Sequence, residues 1–255
     1  MANRSVLWIE AVMLVILATT PSARGQQSEM SVTTPALASQ PQQVTGLHTD
    51  RLSPKQLRMW KSIQNIVFAI DSSGQPLHPK LHSLVHWAEI SGYAIYIEMP
   101  RLKGLSPYTS GIFKLESQDC QGRSHKGVIH LYLPVIDQAS TAKWIRWDDG
   151  LIPFEGSRGK ARRYAEVLGH ELTHAVGALT DPNYARQVEE LEREVAQLQI
   201  GRRSINGQSL DRETRQRLEK IKTLVQKTES RANLAEVQVW QELVKGQQAK
   251  SSIKM

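Results

Sequence analysis

The chain has 255 residues, 40% of them apolar and 22% charged, which is enough for one sizeable domain with a buried core. Its net charge of +7 is scattered, with Lys160, Arg162 and Arg163 in one cluster and Arg202 and Arg203 in another; this excludes a nucleic-acid-binding arm and leaves solubility and attraction to an anionic envelope surface as the reading. Cys120 is the only cysteine, so no disulfide can form within the chain, and a lone thiol with no placed base reads as a loop or half-buried residue.

Arg4 precedes an apolar run from Val6 to Ala18, interrupted by Glu10 and followed by the small residues Ser22, Ala23 and Gly25. This pattern predicts a signal peptide over 1–25 and a secreted, periplasmic or cell-envelope location. The run is shorter than the roughly 20 residues of a membrane-spanning helix. Glu10 weakens the signal, so an uncleaved anchor that associates with a membrane is the alternative. Residues 26–50, rich in Gln, Ser, Thr and Pro, predict a disordered linker. The main domain is expected over 51–245, with a disordered tail over 246–255.

Within that domain, Ser53-Pro54 reads as the cap and first turn of a helix to about Val67. Pro79 starts a second helix through Leu81, Leu84, Val85 and Ala88, ending before Gly92. Tyr93 to Met99, Gly111 to Glu116 and Val128 to Ile136 read as strands. Residues 144–159 read as a loop. A helix follows from about Lys160 to Leu179, with Tyr164, Leu168, Leu172, Ala175 and Leu179 on its buried stripe. Asp181-Pro182 opens another helix carrying Val188, Leu191, Val195 and Leu198. Gly201 and Asn206-Gly207 mark a turn. The last helix spans about Asp211 to Val244, with Leu218, Ile221, Val225, Leu234 and Val237 as its stripe. Residues 182–228 thus form a helical hairpin with a solvated charged face, and the fold class is α+β.

The chemistry centres on His170-Glu171-Leu172-Thr173-His174. Positions i and i+4 share one helix face, so two imidazoles can reach one metal ion, and neutral imidazole nitrogen suits zinc. Glu171 projects at a neighbouring angle, where it can take a proton from a metal-activated water and pass it to a leaving amine. Apart from Glu171, no residue from Val167 to Leu179 is charged when His is neutral. A carboxylate in such a stretch needs a nearby cation.

A catalytic zinc usually has three protein ligands and one open position. Glu236 is the first choice for the third, because Asn233 to Trp240 is otherwise uncharged. Glu229 and Glu242 have polar neighbours and rank lower. Asp181, followed by Pro182, is better explained as a helix cap. His130 alternates with apolar residues on a strand and could face a cleft or solvent. Tyr184 reads as a packing or surface residue, with oxyanion stabilisation as the lesser reading. His82 and His86 share a helix face without a framing carboxylate and read as ordinary.

VLGHELTHAV, ending at Val176, resembles the active-site signature of zincin metallopeptidases. ANLAEVQVWQEL is similar to the second helix of their gluzincin branch, in which Glu is the third ligand. The resemblance implies a zincin-like domain that hydrolyses peptide bonds in a peptide or protein substrate. It implies Zn2+ held by His170, His174 and Glu236, with Glu171 as general base. It also implies a strand bordering the cleft, for which Val128 to Leu133 is the candidate. The chain departs from the family in its long hairpin and in Trp240, which stands where a Glu-x-x-x-Asp pattern needs Asp. Gly177 fits the metzincin signature, but the third ligand position of that signature is Thr180. The alternative function is a non-catalytic exported zinc-binding or hairpin-interaction protein.

Overall fold

The computed structural model describes residues 45–101, 110–118, 124–139, 144–147, 150–153, 160–202 and 212–252. Helix α1 spans Pro54–Val67, and its start is closed where the Ser53 N–H donates to Gln56 Oε1 at 2.7 Å. Helix α2 spans Pro79–Ile90. Both begin at the prolines that the sequence marks, since the lost N–H is unpaired in a first turn anyway.

Four strands form one sheet: β1 Gly46–His48, β2 Ala94–Glu98, β3 Gly111–Gln118 and β4 Ser124–Leu131, in the order β1-β2-β4-β3. β1, β2 and β4 run parallel, and β3 lies antiparallel on β4 as an edge. β1 corrects the linker expectation, which ran to residue 50. The Gly46 N–H donates to Tyr93 O at 2.8 Å and Leu47 packs on the core, so three residues are bound in despite their polar surroundings. β4 ends earlier than expected, and helix α3 follows at Leu133–Ala139. Pro134 has no N–H for a ladder, and the Ile136 N–H already bonds Tyr132 O in a helical turn. Inside the expected loop, β5 Trp144–Trp147 and β6 Gly150–Pro153 pair as an antiparallel hairpin.

Helix α4, Lys160–Thr180, is the axis of the domain. It packs against α1, α2, β3, β4 and the two following helices, α5 at Pro182–Arg202 and α6 at Arg212–Ser252. Its Tyr164, Leu168, Leu172 and Ala175 are wholly buried, together with Ile63, Leu81, Ile95, Ile97, Ile129, Leu131 and Val239. Burial on several sides explains an apolar helix whose polar residues must all find partners.

α5 and α6 form the expected hairpin, with a small separate core of Val195, Leu198 and Ile221. α5 runs through Gly201, and the Asn206-Gly207 turn lies outside the described residues. α6 continues through a buried Gly246 to Ser252, so the expected tail is helical backbone that far. Its inner face is Ala232, Ala235, Val239 and Leu243, whereas Leu234 is 60% exposed. Leu234 lies off the face set by these four positions, so it points outward. Among the described residues no helix is long and apolar enough to cross a membrane; the expected signal segment lies outside them, as does Cys120.

Candidate metal centre

His170 and His174 stand one turn apart on α4, and their Nε2 atoms are 3.0 Å apart. Glu229, on α6, completes the group. Its Oε2 lies 3.3 Å from His170 Nε2 and its Oε1 lies 3.5 Å from His174 Nε2. The three residues are half-buried, and their ligating atoms all lie within 4.8 Å of one another. A tetrahedral ion with bonds of about 2.0–2.1 Å has ligand-to-ligand edges of about 3.3–3.4 Å; each Nε2 faces a different Glu229 oxygen at about that separation, so the donor types suit such an ion. Two imidazole lone pairs and a carboxylate directed at one point repel each other unless a cation or a proton lies between them, and Glu229 and Glu236 raise the proton affinity of His170 against its burial.

The structure therefore places Glu229, not Glu236, beside both Nε2 atoms. Glu236 sits two turns further along α6, behind the His170 ring. Its Oε2 is 3.1 Å from His170 Nδ1, an ion-pair contact rather than an aligned hydrogen bond. Its Oε1 accepts from Arg163 Nη1 at 2.9 Å. Arg163 also donates to Glu166 at 2.8 Å; Glu166 is buried and Arg163 half-buried on α4. Burial raises the Glu236 pKa, but Arg163 and His170 outweigh it and hold the carboxyl down at about 2. Burial dominates at Glu166 despite Arg163 and pushes it up to about 7. At Glu229, burial is outweighed by His174 and His170, which keep the carboxyl below the usual range.

Glu171 is buried, 4% exposed. Burial raises its pKa, with His170 and His174 opposing. Gly111, the first residue of β3, lies directly over it. A Cβ on Gly111 would come within 2.7 Å of Glu171 Oε1 and 2.8 Å of Val167 Cγ1, so only glycine leaves room for the carboxylate. The strand bordering the site is thus β3, the sheet edge. The expected segment, Val128 to Leu133, lies next to β3 in the sheet; β4 also packs on α4, and Tyr132 just beyond it is close enough to feel the Glu171 charge. Nearby, Tyr132 is wholly buried with no hydrogen-bond partner for its hydroxyl among the described residues. Burial, then the Glu171 charge, push its pKa up to about 12.

The remaining candidates have other work. Asp181 Oδ1 accepts from the N–H groups of Asn183 and Tyr184 at 3.0 and 3.3 Å, as the cap of α5. Glu242 accepts from the Lys80 N–H at 3.0 and 3.1 Å, closing the start of α2. His130 lies on the sheet face opposite Ile129 and Leu131, 3.2 Å from Glu98. His82 and His86 stack at 6.1 Å, with no third ligand beside them among the described residues. Tyr184 is only 5% exposed. Its hydroxyl is 2.5 Å from His174 Nδ1 and 3.2 Å from the Thr228 carbonyl, so it is neither a surface residue nor directed at an oxyanion.

Comparison with protein-family models finds no match, and comparisons with curated proteins and with solved structures find none.

Proposed function

We propose that this chain is a zinc-dependent hydrolase of peptide bonds with a zincin-like domain. The observation that carries the reading is the convergence of His170 Nε2, His174 Nε2 and the Glu229 carboxylate, with Glu171 on the same helix under the edge strand. His170, His174 and Glu229 would hold the ion, so Glu229 takes the place first given to Glu236. Zinc bound there would supply Lewis-acid polarisation and make a water nucleophilic near neutral pH. Among the described residues three protein ligands converge, which leaves a coordination position open, whereas a structural zinc is normally closed by four. That favours an enzyme over a non-catalytic zinc protein.

Glu171 accepts the proton of the attacking water and returns it to the leaving amine. Its burial raises its proton affinity above the ordinary carboxylate value, against the pull of His170 and His174, which favours a group that must take and give a proton. Glu236, held by Arg163, backs the His170 ring and orients its other nitrogen toward the ion. The outer side of β3 has no strand beside it among the described residues. The backbone groups on that side suit an extended peptide laid along the edge, next to Glu171. Export remains part of the proposal, on the N-terminal sequence alone.

Glu171→Gln tests the reading. The variant should hold zinc as the wild type does and lose about 10²–10⁴-fold in hydrolysis of an unstructured protein substrate. A Glu171→Gln protein as active as the wild type would remove the mechanism.

A further inference from the structure

We propose that Tyr184 is a positioning residue that fixes which ring nitrogen of His174 faces the metal group and ties that choice to the placement of Glu229. The inference rests on the metal reading above. Tyr184 reaches the site from the first turn of α5, where Asp181 caps the helix and accepts the Tyr184 N–H. Its ring fills a notch in α4 made by Gly177. A Cβ there would lie 2.8–2.9 Å from ring atoms Cγ, Cδ1 and Cε1. Glycine inside a helix costs about 1 kcal/mol relative to alanine, and the seated ring is the local reason for it.

The hydroxyl then bridges two elements. It is 2.5 Å from His174 Nδ1 on α4 and 3.2 Å from the carbonyl of Thr228, the residue before Glu229 on α6. A ligating Nε2 must carry a lone pair, so the ring hydrogen sits on Nδ1. Nδ1–H donates to the Tyr184 oxygen, and the Tyr184 O–H donates to the Thr228 carbonyl. Each hydrogen is used once, and the turn carrying Glu229 is held at the distance of a ligand. The reverse direction, with Tyr184 donating to Nδ1, would place a hydrogen on Nε2 between the two imidazoles and obstruct an ion. Tyr184 and Glu229 also stand at the two sides of the hairpin's base.

The experiment compares wild type, Tyr184→Phe and Gly177→Ala as full chains. Nitrogen NMR of the zinc-free protein reads the His174 tautomer, and chelator competition reads zinc affinity. The wild type should show the Nδ1–H form. Tyr184→Phe should gain Nε2–H form and bind zinc about 10–100-fold more weakly. Gly177→Ala should shift both in the same direction, although alanine favours the helix, because it displaces the ring. The Nε2–H form in wild type would overturn the proposal, as would a folded Tyr184→Phe with unchanged tautomer and affinity. If Tyr184→Phe does not fold, the wild-type tautomer and Gly177→Ala decide. If the wild type binds no zinc, the metal reading falls, while the zinc-free tautomer still decides the role of Tyr184.

Discussion

Two carboxylates on one helix, Glu229 and Glu236, divide the work around His170. The argument for Glu236 from sequence was that a carboxylate in an uncharged stretch needs a cation. That argument holds, but much of the cation is Arg163, which lies 73 residues away along the chain and is brought near only by the packing of α4 on α6. Glu229 looked weaker because Thr228, Ser230 and Arg231 are polar, yet Thr228 is buried and its carbonyl meets Tyr184. One signal was available: Asn233 stands four residues after Glu229, closer to a Glu-x-x-x-Asp pattern than Trp240 after Glu236. The His170, Glu171 and His174 trio was legible because its spacing is local. Arg163 bridges Glu166 and Glu236 inside the protein. Arg163→Ala should therefore leave buried Glu166 without its cation and half-buried Glu236 with His170 alone, and destabilise the fold by about 3–5 kcal/mol, read by urea denaturation.

Helix starts at Pro54, Pro79, Lys160 and Pro182 followed from caps and periodicity, which are properties of a few neighbouring residues. β1 and α3 did not, since a three-residue strand has no period and Leu133 to Ile136 is apolar in either state. The open face of the sheet also needed coordinates. There Arg51 bridges Glu98 and Glu116, Lys126 pairs with Glu116, and the Arg51 guanidinium lies 4.1 Å from the centre of the Tyr96 ring. The hydrogen bond from Arg51 pulls Glu116 down to about 2 from 4.5. A depressed carboxyl stabilises the fold fully above 4.5, and this contribution fades as pH falls toward 2. Glu116→Gln should show a shallower loss of Tm across that acid window than the wild type. An identical acid profile in the two proteins would show that this face does not act on stability.

At the scale of the whole molecule, α6 belongs to two cores. Val239 and Leu243 pack in the main core, while Ile221 closes the small core of the hairpin. The metal group sits where the two meet, at Glu229. Ile221→Ala should cost the hairpin about 2–5 kcal/mol. Hydrogen exchange should then quicken in the outer parts of α5 and α6 and leave the main body protected. The hairpin's existence was legible from its repeating apolar spacing; that its base supplies both Glu229 and Tyr184 to the site was not, because this depends on where α5 departs from α4. The central claim is an ion held by His170, His174 and Glu229. Zinc content and affinity of the wild type, Glu229→Ala and Glu236→Ala, measured side by side, test it most directly. The account predicts one zinc per wild-type chain, its loss in Glu229→Ala, and retention with about 10–100-fold weaker affinity in Glu236→Ala. Full zinc in Glu229→Ala together with none in Glu236→Ala would contradict it.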